Sequence, residues 1–116
     1  MNAVNLAEKL SKFSGHWTPK IVADFNGHDV MVVKVQGEFN WHSHSDTDDF
    51  FMVLSGRLTI QLRDENVVLQ PGELFVVPKG VEHCPMAEEE THLLLIEPAG
   101  TPNTGDEATA VEKVKL

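Results

Sequence analysis

The sequence predicts an all-β domain, an antiparallel sandwich or barrel preceded by one short helix. Three observations carry this. Apolar periodicity is helical only before Gly15 and extended after it. From residue 17 onward, short β-prone runs alternate with closely spaced turn signals. Between the first two runs stands Asn26-Gly27, the strongest short hairpin signal a sequence can carry.

Taken in order, the elements have local reasons. Asn5 caps the helix, Glu8 lies three residues on, and Leu6, Leu10 and Phe13 share a face. Ser14-Gly15 stops it. Strands are expected over 17–25 and, after Asn26-Gly27, over 29–36, where valine is abundant. Further strands follow at 39–44, 49–55, 57–63, 67–69, 74–77, 83–86 and 92–97. Between them lie Ser45-Asp46-Thr47, Ser55-Gly56, Asp64-Glu65-Asn66, Gln70-Pro71-Gly72, Lys79-Gly80 and Glu88-Glu89-Glu90. Residues 1–15 thus form the helix and 16–99 the β-domain. Residues 100–116, rich in Gly, Pro, Thr and charge, form a wrapping or frayed tail.

With 116 residues the chain makes one domain with a self-sufficient core. Eighteen acidic residues against nine basic ones give a net charge of −9. That excludes nucleic acid and anionic membrane as partners, since phosphate binding needs clustered Lys and Arg. No stretch approaches the ~20 apolar residues of a membrane span, and no basic region followed by an apolar run opens the chain. Cys84 is the only cysteine. A reducing compartment, and so a cytoplasmic location, is the expectation.

His42, His44, Asp49 and His83 are the candidate chemistry. Three imidazoles and a carboxylate make a ligand set for one divalent transition metal, with Mn, Fe, Ni, Co and Zn all compatible. On a strand, His42 and His44 leave the same face. Asp49 follows across a short polar turn, and His83 comes from a separate hairpin. One ion would pin the two hairpins together. By the same alternation Asn40 points inward with the two histidines, while Trp41 and Ser43 point outward. Phe51 and Val53 then accompany Asp49 inward, leaving Phe50, Met52 and Leu54 on an outer face just as apolar. A strand apolar on both sides is covered on both sides, by the helix, a second sheet or another subunit. A homodimer is the resulting expectation.

These residues resemble the cupins. Gly37, His42-x-His44, an acid at 49 and Gly56 are similar to the first motif of that family, and Gly72, Pro78-x-Gly80 and His83 to the second. The match spans about residues 37–87, and is nearest to small single-domain cupins named for a likeness to mannose-6-phosphate isomerase. The resemblance implies a cupin-type antiparallel β-barrel, or jelly roll, holding one divalent metal through three His and one acid, here Asp49. There are three departures. Four residues, instead of five, separate Gly37 from His42. Ala87 stands where the second motif carries Asn. Asp49 replaces Glu and ends one carbon–carbon bond earlier. Metal–oxygen bonds near 2.0–2.2 Å then require a backbone shift or a bridging water. A metal site weaker than one with Glu is expected, with Asp49→Glu raising the affinity.

Other candidates are read as packing or surface. Phe51, Val53, Phe75 and Val77 fill the barrel before they line a pocket. Phe39 and Trp41 pack on the outer face of the His-x-His segment. His16, His28 and His92 are exposed or structural, and Cys84 is a small apolar filler. Lys34 and Gln36 point inward unless Gly37 introduces a bulge that inverts them. No phosphate loop or serine nucleophile elbow occurs, and no second inward acid is placed. Two functions remain near evens. One is a metal-dependent enzyme acting on a small, weakly charged molecule by oxygenase, isomerase or decarboxylase chemistry. The other is a module that binds a metal or small ligand without turning it over, which needs no acid–base group. A mostly apolar inner wall, with Asn40 and Lys34 or Gln36 as its polar contacts, fits a compact, weakly charged ligand better than a phosphosugar.

Overall fold

The computed structural model describes residues 1–116. The chain opens with α1 (Leu6–Leu10), where the Asn5 side chain accepts from the Glu8 amide at 3.0 Å. One turn shorter than the apolar spacing suggests, the helix ends at Ser11, and Phe13 continues as extended chain. There the Phe13 carbonyl accepts from Lys34 Nζ at 2.6 Å, and that ammonium lies 5.0 Å from the Phe13 ring centroid. Lys34 is therefore tied to the N-terminal segment and does not face the interior.

Eight strands follow: β1 (Lys20–Phe25), β2 (His28–Glu38), β3 (Asp49–Ser55), β4 (Leu58–Leu62), β5 (Asn66–Leu69), β6 (Leu74–Val77), β7 (His83–Pro98) and β8 (Val114–Lys115). Their hydrogen-bonded order is β5-β4-β7-β2-β1-β8, with β3 joined to both β7 and β6. Except for the β1–β8 pair, every pairing is antiparallel. The β1–β2 hairpin turns at Asn26 and Gly27, both at positive φ, as a tight primed turn requires. The fold is the all-β cupin type.

β7 departs from the sequence reading. Residues 83–86 and 92–97 belong to one continuous strand, and Glu88-Glu89-Glu90 forms a bulge where a turn was expected. Val35 pairs with Thr91 and Gly37 with Ala87, so three glutamates oppose Gln36 alone. The bulge leaves the glutamates exposed while the ladder continues on both sides. Beneath it, Gly56 (φ 90°) approaches within 2.9 Å of the Thr91 Cα at its absent Cβ position. Thr91 Oγ1 accepts from the Arg57 amide at 3.1 Å, fixing the β3–β4 turn to β7.

On β2 the alternation carried back from His42 and His44 breaks at Gly37, which stands at positive φ. Val33 and Val35 point into the barrel, Lys34 takes the other face, and Gln36 is exposed. The core gathers Met31, Val33, Val35, Phe51, Val53, Leu58, Ile60, Leu69, Val77, Ala87, Leu93 and Leu95. The expected strand at 39–44 does not form; only an isolated bridge joins His42 to His83. The tail wraps the barrel. Val114 and Lys115 lie parallel to Lys20 and Ile21, and the Leu116 amide donates to the Ile21 carbonyl at 2.9 Å.

Candidate metal centre

The four candidate residues converge although the strand that was to align two of them is absent. One donor atom from each of His42, His44, Asp49 and His83 lies within 4.8 Å of all the others. Backbone lacing replaces strand pairing. His42 and His83 exchange amide–carbonyl bonds of 3.0 and 2.9 Å, and the Gly80 amide donates to the His44 carbonyl at 2.7 Å. Asp49 opens β3, where Asp48, pointing to the opposite face, accepts from the Lys79 amide at 2.9 Å. That contact holds the Pro78-Lys79-Gly80 turn against the start of β3.

Each imidazole has a distinct setting. His42 Nδ1 donates to the Asn40 carbonyl and His83 Nδ1 to the Val81 carbonyl, both at 2.9 Å. Such bonds fix the tautomer and leave the Nε2 lone pair toward the cluster, as ligating histidines require. His83 Nε2 stands 2.9 Å from Asp49 Oδ2 and His44 Nε2 stands 3.2 Å from it. Neighbouring donors around one ion at 2.0–2.2 Å are about 3 Å apart, so the spacing suits a shared ion. His44 Nε2 lies off the line of a hydrogen bond and is a buried polar atom without a partner. An orphaned buried nitrogen asks for an explanation, and a metal is the group that would satisfy it.

Charge is arranged accordingly. Burial lowers His42 to a pKa of about 4, which keeps it neutral and able to ligate. Burial disfavours the His44 cation as well, but the Asp49 carboxylate outweighs it and raises the pKa. Burial works against the Asp49 charge, and contacts with His44 and His83 overcome this and hold it far below the usual carboxylate range.

Several neighbours differ from their expected places. Asn40 is exposed and contributes only its carbonyl. Phe39 faces the pocket, stacked on Trp17 at 4.8 Å and edge-on to His42 at 5.3 Å. Trp41 points outward under Arg63, whose guanidinium lies 3.9 Å from the ring centroid. Phe51, Val53 and Val77 fill the core as expected, Phe75 packs half-buried against it, and Phe51 also lines the pocket.

The sequence reading missed Glu97 and Lys113. Glu97 is 4% exposed and lines the same pocket as His42 and Asp49. Phe50 pairs with Ile96, so one step along the ladder sets Asp49 beside Glu97. Burial and the neighbouring Asp49 raise Glu97 to a pKa of about 7, against the pull of Lys113. Lys113 Nζ donates to Glu97 Oε2 at 3.0 Å and also to the Thr101 carbonyl. A signal for Glu97 existed: Leu93, Leu95 and Glu97 alternate on one face. None existed for Lys113, which lies in an aperiodic tail. The pocket is thus a mostly apolar chamber walled by Trp17, Phe39, Phe51 and Leu95, into which His42, Asp49, Glu97 and Lys113 also face.

Comparison with known proteins agrees with this architecture. Residues 29–97 match the family model described as a cupin domain. A protein of Bacillus subtilis (strain 168), uncharacterized protein YdbB, is 33% identical over 96 residues, covering 82% of this chain and 79% of that protein. The crystal structure of a cupin-2 domain-containing protein from Shewanella frigidimarina is 50% identical with a TM-score of 0.82, over 83% of this chain and 94% of that one. Hydroquinone 1,2-dioxygenase PnpCD, solved with Cd2+ and 4-hydroxybenzonitrile, shares the fold at 17% identity and a TM-score of 0.69, over 84% and 72% of the two chains.

Proposed function

The chain belongs to the cupin family, and on that footing we propose that it is a metal-dependent enzyme acting on a small, largely apolar molecule. His42, His44, His83 and Asp49 hold one divalent transition ion in this reading, and the unpartnered His44 Nε2 supports it. His and carboxylate ligation fits Mn, Fe, Ni, Co or Zn alike. When bound, the ion supplies Lewis-acid polarisation of substrate oxygen. The observation that favours an enzyme over a binding module is Glu97, a second buried acid facing the same pocket. It stands where a proton can be passed to or from a bound substrate. Trp17, Phe39 and Phe51 wall the pocket beside His42, Asp49 and Glu97 and suit an apolar or aromatic body. Lys113 gives the chamber an inward cation, but its pairing with Glu97 leaves little net charge for a phosphosugar.

Metal analysis of the purified protein, followed by an oxygenase, isomerase and decarboxylase screen that includes hydroquinones, tests this. Expected are one ion per chain, turnover in one class, and loss of at least tenfold in kcat in Glu97→Gln with the metal retained. Metal without turnover in any class would make the protein a binding module. Absence of metal from protein refolded with each candidate ion would defeat both readings. We further infer a cytoplasmic homodimer, supported by the lone cysteine and by the half-exposed apolar face of β3, β6 and β7.

A further inference from the structure

The segment 99–116 touches both sides of the His/Asp cluster. Gly105 (φ 76°) is seated against the Ser43 backbone, between His42 and His44, where an added Cβ would strike the Ser43 carbonyl oxygen and come within 3.2 Å of its carbon. Eight residues later Lys113 reaches Glu97, the cross-strand neighbour of Asp49; the two side chains are only 10% and 5% exposed. Two residues before Gly105, Asn103 Oδ1 accepts from the Val111 amide at 3.0 Å, so the segment is cinched on itself. Its end is tied down by the Leu116 amide on Ile21 and by Lys9 Nζ on the Leu116 carbonyl at 3.0 Å.

We propose that this C-terminal strap is a component of the metal centre: Gly105 on Ser43 and Lys113 on Glu97 hold the two sides of the cluster together, so that strap seating and metal binding stabilise each other. The proposal rests on metal ligation by His42, His44, Asp49 and His83. A strap that restricts the cluster to its ligating arrangement favours the ion. By linkage, the ion favours the seated strap to the same degree. Gly105 and Lys113 are positioning residues here, acting through Ser43 and Glu97.

Cobalt(II) titration of the full chain tests this, read by visible absorption and by amide exchange of residues 99–116. In the wild type, one bound cobalt slows exchange at Val111 and Leu116, which lie outside the ligand set. Gly105→Ala lowers cobalt affinity roughly tenfold, the scale of losing an outer-shell contact, while the exposed strap variant Glu112→Gln leaves it unchanged. Lys113→Met separates two explanations. Removing a positive charge near the site strengthens cation binding if charge alone matters, whereas an unseated strap weakens it; we expect weaker binding, largely restored in Lys113→Arg. Stoichiometric cobalt with unaltered strap exchange, or tighter binding in Lys113→Met, overturns the role of the strap. Wild-type protein that takes up no cobalt overturns the metal reading beneath it.

Discussion

At the scale of single residues, Asp49 concentrates the chemistry of this protein. Its Oδ2 stands 2.9 Å from one imidazole nitrogen and 3.2 Å from another, and the residue is 4% exposed. Side-chain length alone suggests that Asp49→Glu strengthens metal binding. The contacts change that expectation, because an added methylene pushes the carboxylate past the two imidazole nitrogens it already meets, and overpacking typically costs about 1–3 kcal/mol. We expect Asp49→Glu to bind cobalt more weakly than the wild type, measured by competition against a chelator; tighter binding would show that reach limits the site. Asp49→Asn, which keeps the shape and removes the charge, should lose affinity more severely. Cys84 is fully buried and burial raises its thiol, so the native protein should resist a thiol reagent that labels it fully in denaturant. The His/Asp cluster was legible because its residue types and their spacing in two motif blocks stand in the sequence. Glu97 was only half legible, its alternation with Leu93 and Leu95 being visible but its contact with Asp49 depending on the β3–β7 register.

At the scale of elements, the long β7 organises the molecule. It pairs with β2 along its length, with β4 through His83–Met86 and with β3 through His92–Ile96. Local turn propensity at Glu88-Glu89-Glu90 yields to this because the apolar residues on both sides remain paired, and the three charges stay in solvent as a bulge. The anchor of the bulge is Gly56 beneath Thr91. A left-handed conformation costs an ordinary residue roughly 1–2 kcal/mol, and Gly56→Ala adds a clash with Thr91. A loss of about 2–4 kcal/mol is expected in chemical denaturation; a change below about 1 kcal/mol would mean that Thr91 moves aside freely. The segment carrying His42 and His44 shows the opposite case. Its alternation suggested a strand, yet its backbone bonds are split between His83, Pro85 and Gly80, so convergence comes from tertiary lacing.

At the scale of the whole molecule, the outer face is unfinished. Leu74 and Val76 of β6 are 53% and 40% exposed, and Phe50, Met52, Leu94 and Ile96 beside them are half-buried. The registers Met52–Leu74, Phe50–Val76, Phe50–Ile96 and Met52–Leu94 join them into one patch. The N-terminal segment covers a different part of the sheet, around Lys34. A contiguous apolar patch of this kind marks an association surface. Light scattering should return twice the 12.9 kDa chain mass, and Val76→Glu should return the single mass with an unchanged circular dichroism spectrum. A wild-type monomer at high concentration would dismiss the homodimer.

Most of what the sequence determined by itself is short-range: the helix cap at Asn5, the Asn26-Gly27 hairpin, the inward alternation of Asp49, Phe51 and Val53, and the four residues of the His/Asp cluster with the family they resemble. Each follows from neighbours within a few positions. The tertiary structure decided what depends on distant partners. It fused two expected strands into β7, inverted Lys34 and Gln36 through the break at Gly37, brought Glu97 beside Asp49, and turned the tail into a strap whose Lys113 enters the pocket. Periodicity reports which face a residue takes. Only register and chain path report what that face meets.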